Sequence, residues 1–80
     1  MNYKKITKGN LSINNLSQIR GQLGITHRQL ANHIGWSQPR IANYETGLRS
    51  PSLSVAQKIV QTLNSLGAKV CIEDVFPPQS

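Results

Sequence analysis

Residues His27–Tyr44 read HRQLANHIGWSQPRIANY, and the fold turns on how that stretch divides. Leu30, Ala31 and Ile34 give its first half an apolar face at helical spacing, and Ile41 with Tyr44 gives the second half another. Gly35-Trp36-Ser37 interrupts the pattern between them. A glycine at 35 supplies the positive φ that a tight helix-to-helix turn needs, and the small Ala31 lets a second helix cross close to the first. The stretch therefore reads as two short helices crossing at a sharp corner.

Local chemistry sets where these helices begin. Thr26-His27-Arg28-Gln29 has the spacing of a capping box, the hydroxyl taking the N3 amide and Gln29 reaching back. Ser37 is placed to cap the next helix, and Pro39 falls in its first turn, where a missing N–H does no harm. That helix is expected to end at Thr46-Gly47. Upstream, a first helix is expected from a cap at Ser12 to about Leu23, with Leu16, Ile19, the Arg20 stem and Leu23 as its inner stripe and Gly24 as its stop. Downstream of Pro51, Ser52 caps the longest helix, whose stripe is Leu53, Ala56, Ile59, Val60, Leu63 and Leu66 before Gly67.

Past Gly67, the run AKVCIE from Ala68 to Glu73 is rich in β-formers, and Pro77-Pro78 stops whatever follows. The preferred reading is a strand pairing antiparallel with its copy across a two-fold axis, through Val70, Cys71 and Ile72. A short fifth helix over Ile72–Phe76 is the alternative. The expected organisation is a basic arm over residues 1–11, one domain over 12–67, and a dimerisation strand and tail over 68–80.

Eighty residues allow one modest core, and an apolar content of 38% leaves burial short enough that dimer formation would help. Nine Lys and Arg against three Asp and Glu give a net charge of +6, and six of the basic residues precede Glu45, the first carboxylate. A half-chain without carboxylates suits a polyanionic partner, since each counterion displaced from DNA favours binding. Two helices crossing at a tight turn, with the second free to enter a major groove, are what a helix-turn-helix requires.

A single Cys71 rules out an internal disulfide or a Cys-rich zinc site. His27 and His33 stand about 240° apart around a helix and cannot share a metal. No apolar run approaches membrane-spanning length, so a soluble cytoplasmic protein is expected, without metal, cofactor or evident small-molecule ligand. No Ser/His/Asp or Cys/His grouping, Gly-rich phosphate loop or paired carboxylate beyond adjacent Glu73-Asp74 suggests an enzyme.

Arg20, Thr26 through Ala31, Gly35, Ser37, Ile41, Glu45-x-Gly47 and Pro51-Ser52-Leu53 together resemble the Cro/C1-type helix-turn-helix family, the phage-repressor-like DNA-binding domains. The likeness runs from about Asn14 to Leu63. It implies an all-α, lambda-repressor-like bundle of four to five helices, a homodimer, and repression at a palindromic operator in double-stranded DNA. It also implies an ion pair between Arg20 of the first helix and Glu45 at the end of the recognition helix. Two departures stand out: Trp36 is bulkier than the Val or Ile usual in the turn, and the fourth helix is about a turn longer. The tail after Gly67 resembles members that dimerise through a C-terminal strand, an arrangement shared by certain antitoxins and by the Cro branch, so an antitoxin that binds a toxin protein and represses its own operon is the second reading.

On that frame, Gln38 is the first candidate for reading bases, through a bidentate pair with adenine. Asn43, about 200° round from Ile41, faces outward beside it. Pro39 can touch a thymine methyl or simply start the helix, and Arg40 can take a guanine or a phosphate. Phosphate contacts are assigned to His27, Arg28, Ser37, Thr46, Arg49, Ser50 and Ser52, at helix starts and flanking loops, and to Lys4, Lys5 and Lys8 of the arm. Leu53, Ile59, Val60, Leu63, Trp36 and Tyr44 are expected in the core, and Cys71 as a small apolar group of the interface.

Overall fold

A computed structural model describes residues 14–78; Ser12, Lys4, Lys5 and Lys8 lie outside them. Five helices follow one another: α1 (Leu16–Gln22), α2 (His27–Ile34), α3 (Gln38–Thr46), α4 (Leu53–Ser65) and α5 (Ile72–Val75). The molecule is an all-α bundle, with no strand among the described residues.

The caps explain the boundaries. Thr26 accepts from the Gln29 amide at 3.1 Å while Gln29 Oε1 takes the Thr26 N–H at 2.8 Å, closing the capping box. Ser37 and Ser52 cap α3 and α4 through the amides of Arg40 and Val55. Gly35 and Gly47 end α2 and α3 in the left-handed region, at φ of 89° and 82°. At α1 the helix begins at Leu16, whose amide donates to Asn14 Oδ1 at 3.1 Å.

Leu16, Leu30, Ile41, Ile59, Leu63 and Val75 are the largest fully buried side chains, so every helix contributes to one core. Two residues expected there are less enclosed, Trp36 packing against the core's edge. Leu53, the first residue of α4, is 67% exposed. Trp36 is half-buried at the corner.

The strand expected over 68–73 does not form; the alternative, a fifth helix, does. Val70 is held at both backbone groups by the Asn64 side-chain amide, each bond 2.9 Å. The Cys71 N–H donates to Asp74 Oδ2 at 2.9 Å and starts α5 at Ile72. Val70, Cys71 and Ile72 therefore do not form a β-ladder edge. The reason is tertiary: Val75 is fully buried, and α5's carbonyls of Val75 and Asp74 accept from the Asn15 backbone and side-chain amides at 2.8 Å. That burial overrides a local β preference. Ile72, Val75 and Phe76 at spacings of three and four, behind Glu73-Asp74 in the first turn, carry the helical signal in the sequence.

Candidate nucleic-acid interface

The candidate interface is built on α3. Ile41 (0% exposed) and Tyr44 (4%) face the core, which turns Gln38, Pro39 and Thr46 outward as exposed residues and leaves Asn43 half-buried beside them. Gln38 and Pro39 occupy the first turn of the helix, at its open end. The Thr46 hydroxyl donates to the Asn43 carbonyl at 3.4 Å, as does the Arg49 amide at 3.1 Å, so the chain leaves α3 in a tight turn.

One carboxylate orients this helix. Arg20 Nε donates to Glu45 Oε2 at 2.6 Å and Arg20 Nη2 to Glu45 Oε1 at 3.2 Å, a two-pronged pair between α1 and α3. A third arginine donor, Nη1, reaches the Ile25 carbonyl at 2.8 Å. His27 Nε2 stands 3.0 Å from Glu45 Oε1, so the same carboxylate also ties the start of α2 to the end of α3. With Arg20 and Glu45 side chains 15% and 5% exposed, the group is largely shielded from water. Asn14 adds a further tie, its Nδ2 donating to the Tyr44 carbonyl at 2.8 Å.

Arg40 does not extend outward. Its guanidinium carbon lies 3.8 Å from the Trp36 ring centroid, and its Nε donates to the Tyr44 hydroxyl at 3.2 Å. Arg28, Ser37, Arg49, Ser50 and Ser52 are exposed, around helix starts and the loop after α3. His27, assigned from sequence to phosphate, has its Nε2 given over to Glu45. Sequence reasoning missed that contact and the Trp36–Arg40–Tyr44 cluster; the spacing of four between those three residues was the available sign.

A family profile described as helix-turn-helix matches residues 16–67, which covers α1 to α4 and both sharp turns. The chain belongs to the Cro/C1-type helix-turn-helix family. That makes it a DNA-binding transcription regulator, with α2 and α3 as the paired helices of the motif. No curated protein matches the chain closely enough to count as a relative. Among the described residues no helix is long and apolar enough to cross a membrane, and no three His, Cys, Asp or Glu side chains cluster as metal ligands would.

Proposed function

We propose that this helix-turn-helix protein is a homodimeric repressor acting in the cytoplasm on a palindromic operator. Each subunit offers Gln38, Pro39 and Asn43 to a major groove, the two recognition helices entering grooves about 34 Å apart. The observation that carries the reading is the division of α3: Ile41 and Tyr44 are sealed inside while Gln38 and Pro39 stand at the open end of the helix. Gln38 pairs with adenine N6 and N7, Asn43 with a neighbouring base edge, and Pro39 packs on a thymine methyl. Arg28, Ser37, Thr46, Arg49, Ser50 and Ser52 take phosphates, with the first-turn amide of His27 at the start of α2. Blocking polymerase needs no chemistry, in keeping with a site made of amides, hydroxyls and cations.

Selection of bound fragments from random DNA tests this directly. A consensus with dyad symmetry, its half-sites one helical turn apart, is the expected product. Gln38→Ala should then weaken the selected duplex by about 5- to 150-fold while leaving unrelated DNA nearly unaffected. Equal loss on both duplexes removes Gln38 from base reading, and a consensus without symmetry removes the dimer.

A further inference from the structure

Trp36, Arg40 and Tyr44 are spaced by four from the turn into α3, and their side chains form one cluster. The Arg40 guanidinium carbon lies 3.8 Å from the Trp36 ring centroid and 5.9 Å from that of Tyr44. The two rings meet at 56° with centroids 6.2 Å apart, forming a corner in which the guanidinium rests. Tyr44 is fixed by the core at 4% exposure, and its hydroxyl accepts from Arg40 Nε at 3.2 Å. A cation is attracted to an aromatic face, and an arginine held there has surrendered its rotamer freedom before any ligand arrives.

From this arrangement we infer that Trp36 is a positioning residue for Arg40, and that the positioned guanidinium grips a backbone phosphate of the bound DNA rather than a guanine edge. The inference rests on the DNA-binding reading above and adds to it the task of the bulky residue in the turn. Two features separate phosphate from base at Arg40, which is half-buried as Asn43 is. It leaves the helix about 200° round from Gln38, toward Tyr44 and the core flank. Stacking occupies the guanidinium face and Tyr44 occupies Nε, so the Nη edge, unbonded among the described residues, remains as the planar two-donor fork that fits a phosphate. Joining Gln38 at a base edge would mean swinging about 200° round the helix, giving up both the ring contact and the tyrosine bond.

The test titrates the full chain and its variants onto two duplexes, the sequence selected from random DNA and an unrelated one, over a series of KCl concentrations. Arg40→Ala should weaken both duplexes by the same factor, roughly tenfold at low salt, and reduce the slope of log K against log salt by about one. Trp36→Leu should lose about 3- to 10-fold on both, Trp36→Phe should recover most of that, and Trp36→Leu should add nothing to Arg40→Ala. A loss confined to the selected duplex makes Arg40 a base reader and overturns the inference. Additive effects of the two substitutions, or an unchanged salt slope in Arg40→Ala, overturn it as well. Should Trp36→Leu fail to fold, the emission of Trp36, the single tryptophan, replaces it. Arg40→Ala must shift that emission in the free protein, and an unshifted spectrum shows that no stack exists. Wild-type protein that binds neither duplex defeats the DNA-binding reading and takes this one with it; wild-type binding with any of the other failures defeats this one alone.

Discussion

Glu45 is the residue on which the orientation of α3 depends, because two other helices reach it. Arg20 approaches from α1 and His27 from α2, and Glu45 itself lies one residue before the end of α3. Removing the carboxylate would leave a mostly shielded guanidinium with only its bond to the Ile25 carbonyl. Glu45→Ala should therefore cost about 3 kcal/mol and lower the melting temperature by more than about 10 °C, measured by circular dichroism. His27→Ala removes one bond from a half-exposed group and should cost about 1 kcal/mol or less. A melting temperature unmoved by Glu45→Ala would strip the carboxylate of its tethering role. The Arg20–Glu45 pair came into the sequence reading only through family resemblance, and the His27 contact not at all. Partners 25 and 18 positions apart leave no periodic trace, since only packing brings them together. The outward placement of Gln38, in contrast, follows from helix geometry once Ile41 and Tyr44 are taken as inner residues.

Helices α2, α3 and α4 were legible because each carries its own start signal within three residues: Thr26 with Gln29, Ser37 with Pro39, Ser52 ahead of Val55. Stop signals are equally local. Gly35 sits at φ 89° with open space where a Cβ would go, so Gly35→Ala should cost about 1–2 kcal/mol by backbone strain alone, without a clash. A thermal melt would show it, and a cost well above that range would mean the corner also serves packing. Helix α5 was the harder element, as its four residues hold their shape through bonds from Asn15, just ahead of α1, that no local pattern records. Its local cap is Asp74, whose carboxyl is held below the usual carboxylate range by the Cys71 backbone N–H. Because the folded value is depressed, this contribution is complete above the ordinary value of 3.8 and fades as pH falls through the lower folded one. The Cys71 amide resonance should accordingly titrate with a midpoint below 3.8, and a midpoint at or above it would mean the cap is not formed.

At the scale of the whole molecule, charge and core answer different questions. Nine cations against three carboxylates give an excess of +6, which governs how the protein meets a polyanion and says nothing about its fold. Raising salt from about 50 to about 200 mM should lower DNA affinity about 10²- to 10³-fold, as for four to six neutralised phosphates, measured by fluorescence anisotropy. A nearly flat salt response would contradict a backbone-led interface. The core, meanwhile, extends past the stretch that defines the family: Val75, eight residues beyond Gly67, is wholly enclosed with Leu16 and Leu63. The last helix thus behaves as a stopper in the bottom of the bundle. A polypeptide trimmed after Gly67 would keep every family-defining position and the Arg20 and His27 grips on Glu45, yet would leak water into its interior and be cleared quickly by proteases.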